Sequence, residues 1–239
     1  MHYLDLTLPT PAENLALDEA LLEEAERAAE PQETLRLWES DRPLVIVGRS
    51  SRIAAEVHGS ACRSLGIPVL RRISGGAAVV AGRGCLMYAL VLSHRQRPQL
   101  QSLDQTHRLV LGRLAAALAL HASGLEVQGI SDLAMQGRKV SGNSVRVRRH
   151  HTLYHGTLLY DFALELIDRC LRMPPRQPAY RGARPHEAFV ANLPVERTDL
   201  RSVLLSAWQA VEPRRGWPQA DTARLAAEKY SRPEWNEQW

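Results

Sequence analysis

Asp132-Leu133-Ala134-Met135-Gln136-Gly137-Arg138-Lys139-Val140-Ser141-Gly142-Asn143-Ser144-Val145-Arg146-Val147-Arg148 is the stretch from which the architecture is read. Gln136-Gly137 suits a two-residue hairpin turn, so strands are expected near Asp132 to Met135 and from Lys139 to Arg148. A further strand is expected from Leu153 to Tyr160, which makes the region from Leu125 onward β. Working outward, Ser102 to Ser123 reads as the longest helix, capped by Ser102, stopped by Gly124 and striped with Leu109, Leu114 and Leu118. Upstream, Asn14 to Ala29 is an amphipathic helix and Ile53 to Leu65 a second one ended by Gly66. Short strands are expected at Thr34 to Trp38, Leu44 to Val47 and Ile67 to Arg72, followed by the apolar run Leu86 to Leu92. Downstream come a short helix at about Ala163 to Leu171, a Pro-rich irregular stretch from Met173 to Leu193, and two closing helices, one beginning at Thr198 and one ending near Tyr230. Helices interspersed with mostly antiparallel strand patterns predict an α+β fold: mixed, largely antiparallel sheets flanked by helices. No repeat or low-complexity linker divides the chain, so residues 1–239 are expected to form one domain.

The 239 residues are 45% hydrophobic and 23% charged, a globular composition. A net charge of +4, with neither a lysine-rich run nor an aromatic-interleaved basic stripe, argues against nucleic-acid binding. It suits an acidic partner or a phosphorylated ligand. The local cluster Arg146-Val147-Arg148-Arg149 reads as a solvated strand face. Cys62, Cys85 and Cys170 are odd in number and unevenly spaced, which fits neither a disulfide framework nor a zinc site. No apolar run reaches membrane-spanning length and Met1 to Asp5 lacks the regions of a signal peptide, so a cytoplasmic protein is expected.

Three segments carry candidate chemistry. Only Lys139 and Lys229 are lysines among 30 basic residues. In an arginine-biased chain, a retained lysine is either a chance survivor on the surface or a candidate for a place where a compact ammonium on a flexible stem is needed. Lys139 enters a strand and is followed by Ser141-Gly142-Asn143-Ser144, so its amine can point into a cleft lined by small polar groups. There it could bind a carboxylate, a phosphate or the developing charge of an acyl transfer. The second segment is Arg71-Arg72-Ile73-Ser74-Gly75-Gly76-Ala77-Ala78-Val79-Val80, whose small residues let backbone N–H groups approach an anion and whose arginines can neutralise phosphate. It is not a P-loop, because no Gly-Lys-Ser/Thr follows. The third is Tyr154-His155-Gly156-Thr157-Leu158-Leu159, in which His155 could serve as a base or simply as a structural residue.

In this order and combination the segments resemble the lipoate-protein ligase and lipoyl/octanoyl transferase family, related to the biotin ligases. Arg71 to Val79 is similar to the family's Arg-Arg-x-Ser-Gly-Gly-Gly-Ala-Val loop with Ala77 in place of the third glycine. Asp132-Leu133 with Lys139 to Arg146 matches its Asp-Leu, turn, Lys-x-Ser-Gly-x-x-x-Arg signature, and His155 to Leu159 its His-Gly-Thr-Leu-Leu. Glu228 to Trp235 looks like the segment closing the family's large domain. The resemblance implies a lipoate-protein ligase with the fold of the biotin/lipoate-protein ligase catalytic domain. ATP and lipoate give lipoyl-AMP, and the lipoyl group passes to a lysine of a carrier domain, of the 2-oxoacid dehydrogenase E2 or glycine cleavage H protein type. By the same implication Lys139 contacts the acyl carboxylate and the α-phosphate. Arg71, Arg72 and the backbone of Ala77, Ala78, Val79 and Val80 bind nucleotide, and Ser74, Gly75 and Gly76 shape the acyl pocket. Asp132 lies near the adenylate or its metal, and Ser141, Gly142, Ser144, His155, Gly156 and Thr157 complete the site. Mg²⁺ is expected to bridge ATP phosphates, with no ligand set supplied by the protein alone.

Two departures leave alternatives open. Where ligases of this family carry His-Asp-x-Gly-Asn, this chain has Ala81-Gly82-Arg83-Gly84-Cys85-Leu86-Met87-Tyr88, a form closer to the octanoyltransferase branch. That branch uses no ATP and takes octanoate from acyl carrier protein through a cysteine thioester, for which Cys85 is the nearest nucleophile available. A non-catalytic acyl-binding homologue is a third reading, which the intact Lys139 opposes. The chain also stops soon after the large-domain segment, so no C-terminal accessory domain is expected and a separate small protein could supply that part.

Overall fold

The computed structural model describes residues 1–100 and 102–238. Its strands are β1 (His2–Asp5), β2 (Thr34–Trp38), β3 (Leu44–Val47), β4 (Val69–Arg71), β5 (Val79–Ala81), β6 (Cys85–Ser93), β7 (Leu125–Gln128), β8 (Asp132–Met135), β9 (Arg138–Val147), β10 (His151–Leu159) and β11 (Glu212–Pro213). Eight of them form one sheet in the order β11-β1-β2-β6-β10-β9-β8-β7, and the other three a small sheet in the order β4-β3-β5. β1 is parallel to β2 and β11, and β3 to β4; the remaining strand pairings are antiparallel. The expected α+β class with largely antiparallel, mixed sheets is what forms.

Period-two alternation in β6 explains the layering. Cys85, Met87, Ala89 and Val91 enter one apolar cluster, while Leu86, Tyr88, Leu90 and Leu92 enter another. The helix Pro11–Arg27 covers the first face with Leu15, Leu17 and Leu22, and the helices Leu103–Leu118 and Arg197–Ala207 cover the second. Each buried leucine of these helices contributes about 1.5–3 kcal/mol of transfer free energy. Thr10 and Glu13 close a reciprocal capping box at the start of the first helix, and Ser102 accepts from the Gln105 amide at the start of Leu103–Leu118. This helix stops at Leu118 rather than Ser123, and at 16 residues it is shorter than the 17-residue Pro11–Arg27 rather than the longest. Among the described residues no helix is long and apolar enough to cross a membrane.

The expected continuous helix from Ile53 to Leu65 is instead two, Ile53–Glu56 and Gly59–Ser64. Tertiary pairing breaks it: Val57 bridges Leu171, and the His58 amide donates to the Cys170 carbonyl at 2.8 Å. Strands β1, β5, β7 and β11 are short or polar and carry too little alternation to be read individually from the sequence. Lys229, for which the sequence suggests no chemistry, holds the closing segment. Its Nζ lies 2.7 Å from Glu19 Oε2, the same oxygen accepts from Tyr230 Oη at 2.8 Å, and the ammonium sits 4.2 Å from the centre of the Trp235 ring.

A bulge in β9 reverses which side chains face the cleft. Leu133 pairs with Ser141 and Ala134 with Lys139, so Val140 is an extra residue between two ladder rungs. Beyond the bulge, Val145 packs on the second cluster and Asn143 bonds Tyr88 of that cluster; before it, Val140 does the packing. Odd positions face that cluster on one side of the bulge and even positions on the other. Lys139 is thereby turned to the first face, where His155 and Thr157 of β10 also point.

Candidate active site

Two adjoining cavities, of about 130 and 110 Å³, open on this face and share Ala77, Ala78, Val79, Lys139, Gly142 and Thr157. The outer one runs between the glycine-rich loop and the Pro-rich segment, with Ile167, Leu171, Phe189 and Val190 as apolar walls and Arg172, Arg176 and Arg181 among its cations. The inner one is floored by Leu15, Ile46 and Met87 and bordered by Asp132, Ser144 and His155. Lys139 stands where they meet. Its Nζ lies 2.7 Å from Asp132 Oδ1, and the other carboxylate oxygen accepts from Tyr180 Oη at 2.8 Å. Burial, then the Asp132 charge, pushes the Tyr180 phenol up, so it remains a donor. Arg184 donates to the Tyr180 and Gly137 carbonyls at 2.8 Å each, tying the Pro-rich segment to the β8–β9 turn.

The glycine-rich loop is held from behind. Arg72 donates to the carbonyls of Ile46 at 3.1 Å and Ala77 at 3.0 Å, to the Gly75 carbonyl, and to Ser74 Oγ at 3.1 Å. Burial pushes this guanidinium down to about 10, against the opposing effect of Glu56, so it stays cationic at neutral pH. Ser74 Oγ is also 2.5 Å from His155 Nε2, whose Nδ1 is 3.5 Å from Asp18 Oδ2. Burial acts to raise the Asp18 carboxyl, but Arg36 at 2.6 Å and His155 hold it below the ordinary carboxylate range. This serine–histidine–aspartate chain is not a nucleophilic triad: Ser74 is 1% exposed, lines neither cavity and accepts from Arg72. The chain fixes the loop instead. Ser144 Oγ adds a bond to the Gly75 carbonyl at 2.8 Å, and Glu56 Oε2 accepts from the Ala78 amide at 2.6 Å.

Most residues singled out in the sequence therefore converge. Lys139, Ala77, Ala78, Val79, Gly142 and Thr157 line both cavities, Val80 and Ser141 the outer, and Arg72, Gly76, Asp132, Ser144, His155 and Gly156 the inner. Ser74 and Gly75, expected to shape the acyl pocket, line neither cavity: Ser74 anchors the loop from behind, and the exposed Gly75 offers its carbonyl to Arg72 and Ser144. Arg71 is placed elsewhere: fully buried, it donates to the carbonyls of Gly48, Arg49, Ser51, Trp235 and Asn236 and lines neither cavity. Strand alternation sends adjacent arginines to opposite sides, and Arg71 takes the side of the closing segment. Cys85 is likewise outside both cavities and 0% exposed, and burial followed by the Glu39 charge pushes its thiol far up. Cys62 and Cys170 are buried too, the latter thiol pushed up to about 11 by burial and by Cys62. Asp18, Glu56, Tyr180 and His186 border the site without a sequence motif; the available signals were polar positions on otherwise apolar faces at Asp18 and Glu56 and the ordered-looking Tyr180 to Arg184 within the Pro-rich stretch. Both Asp132 oxygens are already engaged, and among the described residues no three His, Cys, Asp or Glu side chains gather for a metal. The protein groups thus do not fit a metal cage of their own.

A family model described as the lipoyl protein ligase A/B catalytic domain matches residues 10–203. Lipoate-protein ligase LplJ of Bacillus subtilis is 26% identical over 185 residues, covering 77% of this chain and 53% of that protein. Octanoyltransferase LipM of Carboxydothermus hydrogenoformans is 32% identical over 179 residues, covering 67% of this chain and 65% of the relative. Among solved structures, a bi-partite lipoate protein ligase studied with its E2 lipoyl domain from Thermoplasma acidophilum superposes with a TM-score of 0.83 at 21% identity, over 99% of this chain and 95% of that one. The fold is therefore shared. The chain spans about half the length of the curated relatives it matches first.

Proposed function

Because this chain belongs to the lipoyl protein ligase A/B catalytic-domain family, we propose that it activates lipoate with ATP and passes the lipoyl group to a lysine of a lipoyl carrier domain. The observation that carries this reading is the position of Lys139, the ammonium shared by two cavities of different character. The inner cavity, floored by Leu15, Ile46 and Met87, suits an acyl chain, and the outer, with its arginines and apolar walls, suits a nucleotide. A carboxylate at the mouth of the first and an α-phosphate at the mouth of the second would both face Nζ.

In the first step a lipoate oxygen attacks the α-phosphorus and pyrophosphate leaves. Lys139 offsets the charge that builds on the oxygens between the two groups. In the second, the carrier amine attacks the acyl carbon, its proton is lost to solvent or phosphate, and AMP leaves. Asp132, oriented by Tyr180, keeps the ammonium in place through both. Any Mg²⁺ that accompanies ATP would ride on the phosphates. The carrier would be of the 2-oxoacid dehydrogenase E2 or glycine cleavage H protein type, met in the cytoplasm.

The octanoyltransferase reading has support in the Gly82-x-Gly84-x-Leu86-x-x-Tyr88 form and in the LipM relative. It needs a thiol in the cleft, and all three cysteines are buried outside both cavities. The deciding experiment incubates the protein with a carrier domain and either lipoate plus ATP or octanoyl-acyl carrier protein, and weighs the carrier. Modification from the acyl-carrier donor alone sinks the ligase; modification from neither favours a non-catalytic homologue or a missing accessory protein. Lys139→Ala should lower ligation about 10²–10³-fold. Lys139→Arg should fail nearly as badly, since a planar fork cannot replace a point charge between carboxylate and phosphate.

A further inference from the structure

Asn143 lies just past the bulge, and its side chain leaves the cleft for the opposite face of the sheet. There Nδ2 donates to the Ser131 carbonyl at 2.9 Å and to Ser141 Oγ at 3.0 Å, while Oδ1 accepts from Tyr88 Oη. The Ser131 carbonyl can only accept, which fixes the orientation of the amide. Both N–H donors are thereby used, so although the residue borders the inner cavity its amide has no donor left for a ligand. Room for this side chain exists because its cross-strand partner is glycine: a Cβ at Gly156 would lie 1.8 Å from Asn143 Oδ1 and 2.7 Å from its Cγ. The two groups clamped by the amide flank the reactive pair. Ser131 immediately precedes Asp132, and Ser141 is on the far side of the bulged Val140 from Lys139.

We propose that Asn143 is a positioning residue: from behind the sheet it fixes the Asp132–Lys139 pair, and so sets the rate of the chemical step rather than the affinity for acyl substrate or nucleotide. Without the clamp, the β7–β8 connection and the bulge are free to shift independently, and the 2.7 Å contact between Nζ and Oδ1 is no longer imposed. The rate readout rests on the ligase reading; a second readout does not.

The test uses the full chain with Asn143→Ala and Asn143→Asp. With lipoate, ATP and carrier, both variants should lose about 10- to 100-fold in kcat, with KM for lipoate and ATP within about 3-fold of the parent. The second readout exploits the two lysines. Labelling with an amine-reactive anhydride, followed by mass analysis, gives the rate at Lys139 relative to Lys229, whose own carboxylate partner Glu19 lies far from the clamp in sequence. An amine pinned against a carboxylate at 2.7 Å is held away from the reagent, so releasing the pair should raise the ratio about 3-fold or more. Unchanged kcat, a loss confined to KM, or an unchanged labelling ratio in folded variants overturns the proposal. If the parent protein ligates with neither donor, because the ligase reading fails or a separate accessory protein is required, the rate readout is void and the labelling ratio alone decides the role of Asn143. Should neither Asn143 variant fold, Tyr88→Phe, which removes only the bond to Oδ1, is read the same way, with a smaller rise expected and no rise counting against the clamp.

Discussion

Gly142→Ala offers a test of how narrowly the Lys139 ammonium must be placed. A Cβ at this position would lie 2.9 Å from both Cε and Nζ of Lys139. Ordinary contact between such atoms begins at about 3.5 Å, so the end of the lysine must give way by roughly 0.6–1 Å. It can do so cheaply, because it is the free end of a flexible side chain, and the backbone at Gly142 is not in the left-handed region. The fold should therefore survive, with stability changed by no more than about 1 kcal/mol. The ammonium cannot move without leaving its 2.7 Å contact with Asp132 and the junction of the two cavities. A displacement of that size at a reacting centre costs about 10²-fold, or roughly 2.7 kcal/mol of barrier. The assay is the initial rate of carrier lipoylation at saturating lipoate and ATP, beside a thermal melt of the same preparation. A kcat within about 2-fold of the parent, at unchanged melting temperature, would refute the claim that this position is what catalysis requires.

Cys85→Ala should keep ligation within about 3-fold, since the thiol is a buried apolar filler; complete loss in a folded variant would restore a thioester mechanism. Arg71→Met leaves the carbonyls of Gly48, Arg49, Ser51, Trp235 and Asn236 without their donor, and should destabilise by about 3–5 kcal/mol. A melting temperature lowered by less than about 3 °C would show that the closing segment is held by other means. Burial lowers the imidazoles of His107, His151 and His186 below their ordinary 6.5. The unfolded chain then binds protons at a higher pH than the folded one. This contribution to stability is full above about pH 6.5 and is lost as the pH falls below it, so melting temperature should begin to drop there. A profile flat between about pH 7.5 and 5.5 would contradict that assignment.

Where local chemistry decides structure, the sequence was readable. β2, β3 and β8 lie where their strand-forming residues and flanking turns placed them, and Gln136 and Gly137 both adopt positive φ, 52° and 70°, as a two-residue hairpin turn requires. Where a contact from far along the chain decides, it was not. The Ile53 to Leu65 helix breaks because Leu171 pairs with Val57. The Pro-rich stretch shows no periodicity, yet Tyr180, Arg181 and His186 make it a wall of the site.

The sequence by itself determined the α+β class, the three motif segments and the choice of Lys139, because side-chain period, turn chemistry and residue type are local properties. Only the tertiary structure separated Arg71 from Arg72, since adjacent strand residues point to opposite sides and nothing local says which side holds the cleft. It also removed Cys85 from the site by burying it. Above all, it decided where the lysine points. Simple alternation would place Lys139 on the same face as Asn143 and Val145, turned away from the junction of the two cavities. One extra residue at Val140, imposed by the register of β8 against β9, reverses that parity and brings the ammonium to Asp132.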